Sequence, residues 1–230
     1  MRTEARRTRV LDAAIGSTVL TAMASPSDGG AVVSLPVRTT TQVSWTLRRV
    51  VVGVIALIGL TWDLWTKHEV FARLGYGGDH PVWKGQVLGV SIRFQLATAL
   101  NQGALWGIGQ GKVWLFASLS FVAIGAIAYF LWNRQAVASR WLTTVTGLLL
   151  AGTLGNLYDR LGLHGLKAED GTPIHAVRDF LDFFFFNDSF HWATFNFADT
   201  YLVVGGCMLA LYSFLVPEAQ AEPTPTPPAL

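Results

Sequence analysis

Three aspartates stand beside segments that are apolar enough to lie in lipid: Asp159, Asp179 and Asp199. An ionised side chain is costly in lipid unless it has a partner or a function. Asp179 is the hardest to explain structurally, because the run Asp179-Phe-Leu-Asp182-Phe-Phe-Phe-Phe186 embeds a carboxyl group in aromatic surface. Burial and a second nearby acid both raise the pKa of a carboxyl group. Two aspartates that cannot both ionise can hydrolyse a peptide bond: one takes a proton from water while the other, still protonated, hydrogen-bonds the scissile carbonyl.

Other polar residues of these segments have structural interpretations. Asp63 and Lys67 are four residues apart, acid before base, and are expected to pair on one face of a helix. Asn156 and Arg160 share a face at the end of a later apolar segment, and Asp159 is close enough to join them. Arg is suited to holding a buried carboxylate in fixed geometry, so this group is assigned a supporting role.

Asn196 and Asp199 open the last apolar segment, where Asn196 is expected to cap a helix and Asp199 to lie in its first turn. The sequence offers no competing catalytic set. No Ser-His-Asp order is evident, and the single cysteine, Cys207, lies within an apolar segment. The histidines are scattered without metal-ligand spacing and are interpreted as solvated loop residues: His68, His80, His164, His175 and His191.

Composition favours a small membrane protein that crosses the bilayer several times. Of the 230 residues, 51% are hydrophobic and only 14% are charged, which is too apolar for an ordinary soluble domain of this size. The net charge of +2 is weak and the basic residues are dispersed, so a nucleic-acid partner is excluded.

Four apolar segments of spanning or near-spanning length predict a mainly α membrane protein with four transmembrane helices. They cover residues 50–65, 113–132, 141–158 and 197–216. Trp and Tyr recur at their ends, as expected at a lipid–water boundary. Residues 87–97 alternate roughly between apolar and polar side chains and include several β-branched ones. This pattern predicts one or two short strands in a small sheet on the membrane surface.

The basic residues predict the orientation of the chain. Arg48 and Arg49 precede the first segment, and Arg134 and Arg140 flank the short link between the second and third, so both termini are expected to be cytoplasmic. The two longer connections then lie outside, one as a β-sheet platform and the other as a second extracytoplasmic loop. The predicted domains are a disordered leader (1–46), a four-helix membrane domain (47–217) and a disordered tail (218–230).

Five short motifs lie between the predicted helices. They are Asp63-Leu-Trp-Thr-Lys67, Asn101-Gln-Gly-Ala104, Gly155-Asn156-Leu-Tyr-Asp159-Arg160, Val177-Arg178-Asp179-Phe180 and Phe195-Asn196-Phe-Ala-Asp199-Thr200. Together they resemble the family of lipoprotein signal peptidase, or signal peptidase II, a bacterial membrane aspartyl protease. Five motifs in the right order are a specific signal, whereas any one alone is weak.

The resemblance implies that Asp179 and Asp199 are the catalytic pair. It implies supporting or substrate-binding roles, with Lys67 near the substrate, for Asp63, Lys67, Asn101, Gly103, Asn156, Asp159, Arg160 and Asn196. The substrate would be a prolipoprotein whose cysteine carries a diacylglyceryl group, cleaved just before that cysteine. The enzyme would act as a monomer among the lipids of the bacterial inner membrane, near the outer face. It would need no metal or organic cofactor and would be inhibited by the cyclic peptide globomycin.

Three features depart from the family pattern: an insertion around residues 166–176, the long Arg-rich leader, and Arg178, which is expected to lower the pKa of Asp179. Residues 183–186 and Trp192 are interpreted as membrane-facing or core aromatics, with contact to substrate acyl chains as the alternative.

Two other classes of function remain open. One is a transporter or proton relay. The other is a lipid phosphotransferase that holds Mg²⁺ with Asp179, Asp182 and Asp199.

Overall fold

The computed structural model describes residues 44–103, 109–133 and 137–215. In chain order the elements are α1 (Trp45–Leu74), β1 (Asp79–Val87), β2 (Val90–Asn101), α2 (Val113–Trp132), α3 (Arg140–Arg160), β3 (Val177–Phe185), β4 (Phe190–His191) and α4 (Phe197–Leu215). The predicted tail, Arg134 and the predicted leader up to residue 43 lie outside the described residues.

Helix α3 is central among the described helices and packs against α1, α2 and α4. Its buried residues are mostly small or polar, and its glycines mark the closest approaches. A Cβ at Gly152 would lie 2.4 Å from the carbonyl oxygen of Ala198, and one at Gly155 would lie 2.5 Å from Asp63 Oδ2. Small residues at helix interfaces let two backbones approach closely, so α3 holds both α1 and α4 near the same point.

Replacing Gly155 by Ala is expected to lower the free energy of unfolding by about 1–3 kcal/mol, because the added methyl group would overpack the contact with Asp63. The matched control is Gly125→Ala in α2, where a Cβ meets nothing within 4 Å. That variant should be neutral or gain up to about 1 kcal/mol from helix propensity. Thermal unfolding of both variants in detergent measures the difference, and equal effects would contradict the close packing at Gly155.

Helix α1 is longer at both ends than the apolar run predicted. It begins after Ser44, whose side chain accepts a hydrogen bond from the Leu47 amide, and it ends at Gly75, where φ is 71°. Asp63 and Lys67 therefore lie inside the helix and not in its last turn. A hydropathy pattern stops at the first charged residues, whereas the helix continues because those charges are paired within the protein.

The sheet has four antiparallel strands in the order β1-β2-β3-β4. Two strands near residues 87–97 are confirmed, but β1 begins earlier, at Asp79, and β2 extends to Asn101. The register shifts between Leu96 and Ala99, where buried Thr98 bonds back to the turn after α1. This irregularity anchors the sheet to the end of α1.

Strand β3 was not predicted, because charged residues occur on both of its faces and its sequence does not alternate between polar and apolar residues. The preceding insertion forms a short turn: Lys167 and Pro173 make an isolated bridge, and Ala168 N donates to Thr172 O.

Within the described residues, α2 and α4 are long and apolar enough to cross a membrane by length and composition, with mean hydropathies of 2.0 and 1.4. The other two predicted spans do not meet the same measure. Helix α1 contains charged residues, and α3 is rich in Thr and Gly. The small β-sheet is confirmed, whereas its place on the outer membrane surface and the four transmembrane helices remain predictions.

Candidate active site

Two asparagines link the carboxylates of Asp179 and Asp199. Asp179 lies on β3, and Asp199 lies in the first turn of α4. Asn196 Nδ2 donates to Asp179 Oδ1 at 2.6 Å, and Asn156 Nδ2 donates to Asp199 Oδ1 at 2.7 Å. Asn196 Nδ2 also lies 3.3 Å from Asn156 Oδ1. The fold therefore brings both acids into one hydrogen-bonded group, although they come from a strand and a helix.

The environment of Asp179 favours a bound proton. The residue is 2% exposed, and burial raises its pKa to about 7, with the negative charge of Asp199 acting in the same direction. Hydrogen bonds from Asn196 and from Asn101 Nδ2, at 3.1 Å, oppose this rise by stabilising the ionised form. Asp179 therefore keeps its proton to a higher pH than an exposed aspartate does.

Asn196 also begins α4. Its Oδ1 accepts a hydrogen bond from the Asp199 amide at 3.0 Å, and Asp199 Oδ2 accepts one from the Asn196 amide at 3.3 Å. This reciprocal arrangement is a capping box, so the predicted cap at Asn196 and the predicted first-turn position of Asp199 are confirmed. One side chain therefore sets the start of α4 and binds Asp179.

A buried ionic network lies next to Asn156. Lys67 Nζ is 2.8 Å from Asp63 Oδ2, 3.3 Å from Asp159 Oδ2 and 3.2 Å from Asn156 Oδ1. Asp63 Oδ1 accepts a hydrogen bond from the Ala198 amide at 2.8 Å. The predicted Asp63–Lys67 pair is confirmed, but Lys67 is fully buried. It therefore contacts the site through Asn156, and its expected place near the substrate stays a prediction.

Arg178 completes this network and corrects two expectations. Its guanidinium contacts Asp159 Oδ1 at 2.8 and 3.1 Å, and its amide donates to Asp159 Oδ2 at 3.0 Å. Successive side chains on a strand point to opposite faces, so Arg178 faces away from Asp179 and does not lower its pKa. Asp159 is thus paired with Arg178 and Lys67, and the expected contact with Arg160 is not made.

Arg160 instead lines a cleft of about 550 Å³. Its Nη2 lies 3.5 Å from the carbonyl oxygen of Gly103, whose amide donates to Asn101 Oδ1 at 2.9 Å. The cleft is lined by Asn101, Gly103, Asn156, Arg160, Val177, Trp192, Ala193, Thr194, Phe195, Asp199, Thr200, Leu202, Val203 and Val204. Asp179 accepts a hydrogen bond from one of these lining residues, Asn101. The cleft therefore has a polar part at the carboxylates and an apolar part along α4.

The cleft wall formed by residues 192–195 and the apolar face of α4 was only partly predicted. Trp192 was considered as a possible contact to acyl chains, and it does line the cleft. The nearby Phe185 and Phe186 do not, since Phe185 packs against Phe190 and Phe186 is exposed. The sequence signal that could have predicted this part of the wall is the position of residues 192–195 directly before Asn196, which caps α4.

Asp182 does not join Asp179 and Asp199. Its carboxylate accepts hydrogen bonds from Gln95 and Thr194 and contacts His191. The three-aspartate arrangement proposed for Mg²⁺ is therefore wrong. The interpretation of the histidines as loop residues is also wrong in part: within the described elements, His68 lies in α1, His80 in β1 and His191 in β4.

Comparison with known proteins decides the family. The family model described as "Signal peptidase (SPase) II" matches residues 55–215. The chain belongs to the signal peptidase II family. It is 36% identical over 160 residues to the lipoprotein signal peptidase of Rhodopirellula baltica, covering 70% of each chain. It is 35% identical over 166 residues to the corresponding protein of Aeromonas hydrophila, covering 70% of this chain and 86% of that one. This signal peptidase II is thus a protease that removes signal peptides from prolipoproteins, and a transporter or phosphotransferase is not favoured.

Two solved structures share the fold of this signal peptidase II. Both are titled as bacterial membrane enzyme structures obtained by the in meso method, one at 2.3 Å and one at 1.9 Å resolution. The first has a TM-score of 0.56 and 23% identity, covering 75% of this chain and 94% of the other. The second has a TM-score of 0.52 and 24% identity, with coverages of 70% and 90%. At these identities the likeness shows the fold alone.

Proposed function

We propose that this signal peptidase is an aspartic endopeptidase whose catalytic pair is Asp179 and Asp199. The observation that carries the proposal is the link between the two carboxylates through Asn196 and Asn156. Asp199, on the cleft surface, takes a proton from water as the water attacks the scissile carbonyl carbon. Asp179 donates a hydrogen bond to the carbonyl oxygen, and the proton on Asp199 then passes to the leaving amine.

Some of the remaining site residues bind the two carboxylates directly, and others hold the residues that do so. Asn101, Asn156 and Asn196 hold the carboxylates by hydrogen bonds, and Asn101 also orders the backbone at Gly103. Asp63, Lys67 and Asp159 hold Asn156 and the start of α4 from behind. Arg160 supplies a positive charge in the cleft, where it is suited to a peptide carbonyl or an ester oxygen.

The form of the cleft supports a lipid-modified substrate. Polar groups surround Asp199, while Leu202, Val203 and Val204 extend the cleft along the apolar face of α4. A diacylglyceryl-cysteine places acyl chains immediately beside the bond to be cut, so it fits both parts at once. We therefore propose cleavage just before the lipidated cysteine, with globomycin-type peptides competing for the same cleft.

All four helices are proposed to span the bacterial inner membrane. The charges within α1 and α3 are paired inside the protein, which lowers the cost of burying them in lipid. Arg48 donates to the carbonyl oxygens of Val137 and Ala138, and Arg49 donates to that of Trp132. These basic residues gather at the α2–α3 link, which supports a cytoplasmic location for this end and an outer location for the sheet and the site.

The proposed organisation is a monomer with a membrane domain over residues 47–217 between a cytoplasmic leader and tail. The decisive experiment is cleavage by the purified enzyme of a precursor that carries the diacylglyceryl group and of the same precursor without it. Only the modified form should be cut, globomycin should stop the cut, and a chelator should leave it unchanged. Equal cleavage of both precursors would overturn the proposed specificity, whereas inhibition by the chelator would overturn the aspartic mechanism.

The proposed protonation of Asp179 predicts a pH dependence. Its pKa is raised from 3.8 to about 7, so the bound proton stabilises the folded state fully below 3.8, and this stabilisation is lost as pH rises through about 7. The value of kcat should fall over the same range. Asn101→Ala removes a hydrogen bond that lowers the pKa of Asp179, so it should move this fall to higher pH. The control is Asp170→Asn in the exposed loop, and an unshifted profile for Asn101→Ala would contradict the assignment.

A further inference from the structure

Asp182 is a buried carboxylate that the proposed reaction does not use. It lies on β3, three residues after Asp179, and is 3% exposed. Its Oδ2 accepts a hydrogen bond from Gln95 Nε2 at 2.9 Å. Its Oδ1 accepts one from Thr194 Oγ1 at 3.2 Å and contacts His191 Nε2. A buried carboxylate is costly unless its oxygens are satisfied, so this convergence of partners calls for an explanation.

Two partners of Asp182, His191 and Thr194, lie in or beside one wall of the cleft, which residues 192–195 form. His191 and Thr194 lie on either side of Trp192, and Trp192 and Thr194 both line the cleft. Backbone hydrogen bonds fix this wall at Trp192, whose amide donates to Phe183 O, and at Phe195, whose amide donates to Leu181 O. Asp182 adds side-chain bonds between these points. It therefore ties the wall to the strand that carries Asp179.

Further contacts hold the Asp182 carboxylate in place. Arg93 Nη1 donates to Gln95 Oε1, which leaves the Gln95 amide nitrogen directed at Asp182. Arg93 is itself held by Asp188 at 3.0 Å and lies over the ring of Phe184. The ring of His191 stacks on the same Phe184 with the ring centroids 4.3 Å apart. Strands β2, β3 and β4 thus all contribute to the position of this one side chain.

We propose that Asp182 is a positioning residue that fixes the 192–195 wall and thereby sets how tightly the precursor binds. It acts through His191 and Thr194 and takes no part in proton transfer. This proposal rests on the proposed function, because it assumes that the cleft beside Asp199 holds the peptide and its acyl chains. A wall displaced by a fraction of an ångström weakens substrate contacts while leaving the two catalytic carboxylates in place.

Steady-state kinetics on the diacylglyceryl-modified precursor test the proposal with the full-length enzyme. Asp182→Ala is expected to raise KM by about tenfold and to change kcat by less than about threefold, which is the pattern of lost binding. Asp182→Asn keeps Oδ1 as an acceptor for Thr194 and His191 but places its Nδ2 against the Gln95 amide nitrogen, so its KM should rise by a smaller factor than that of Asp182→Ala. Thr194→Val removes one of the bonds and should raise KM by a smaller factor.

The double variant Asp182→Ala/Thr194→Val separates a specific contact from general disruption. Because both single changes remove the same bond, their effects on KM should combine to less than their product. A lower kcat with unchanged KM in Asp182→Ala, or full additivity, would overturn the proposal. If Asp182→Ala is too unstable to assay, the Asp182→Asn and Thr194→Val pair decides, and equal KM values for these two and wild type would overturn it.

A binding measurement keeps this proposal separate from the aspartic mechanism. Affinity for the modified precursor is measured with Asp199→Asn, with and without Asp182→Ala. Weaker binding in the double variant supports the role of Asp182 whatever the catalytic mechanism, and equal binding overturns it. Retained cleavage by Asp199→Asn itself would instead overturn the catalytic pair.

Discussion

Replacing Asp179 or Asp199 by Asn is expected to lower kcat for the modified precursor by about 10³-fold, within the 10²–10⁴ range typical of lost acid–base catalysis. Asn at position 199 cannot take a proton from water. Asn at position 179 can still donate a weak hydrogen bond, but it cannot share the single proton of the pair. Cleavage measured as a mobility shift of the precursor, with KM determined in parallel, checks both variants.

Loss of folding must be separated from loss of chemistry in these variants. Asp179 accepts hydrogen bonds from Asn101 and Asn196, so Asp179→Asn places an amide opposite one of these donors. Thermal unfolding should therefore be measured beside activity. Asp170→Asn is the matched control, since it makes the same chemical change in an exposed loop and should leave kcat unchanged. Wild-type kcat in either Asp179→Asn or Asp199→Asn would show that the dyad assignment is wrong.

Replacing Lys67 by Met is expected to lower the free energy of unfolding by about 3–5 kcal/mol. The substitution would leave two buried carboxylates, Asp63 and Asp159, with only Arg178 as counter-charge. It would also leave Asn156 Oδ1 with only the 3.3 Å contact from Asn196, so the bond from Asn156 to Asp199 would lose part of its support. Activity should fall together with stability, and both are measured in the same detergent.

The chain offers a matched control for this change on the same helix. Glu69 and Arg73 form a second pair at the same four-residue spacing, also with an N–O distance of 2.8 Å, but the Arg73 side chain is 77% exposed. Exposed pairs contribute about 0–1 kcal/mol, so Arg73→Met should have little effect on unfolding. Equal destabilisation by Lys67→Met and Arg73→Met would contradict the structural role given to the buried network.

Local contacts were predictable from the sequence because they depend on spacing. The Asp63–Lys67 pair follows from the closeness of residues four apart on one face of an α-helix, and the cap formed by Asn196 and Asp199 follows from the residue preferences of a helix start. Helix α2 matches its predicted bounds because no charged residue interrupts its apolar run.

Contacts between distant segments were not predictable in the same way. The partner of Arg178 depends on which face of β3 meets α3, and β3 itself was hidden in a run without alternation. The pairing of β2 with β3 joins residues far apart in the chain, such as Asn101 and Val177. The place of Asp182 among Gln95, His191 and Thr194 depends on this pairing, so the sequence alone left its role open.

Asn196 both caps α4 and binds Asp179, and these two roles have a consequence for inhibition. The same amide starts α4 and binds Asp179, and the next turn of α4 carries the cleft-lining residues Leu202 and Val203. A compound bound between these aliphatic side chains and Trp192 is expected to displace the start of α4 and Asn196 with it. Such a compound would inhibit the enzyme by binding in the apolar part of the cleft, and it would not need a group that resembles a peptide.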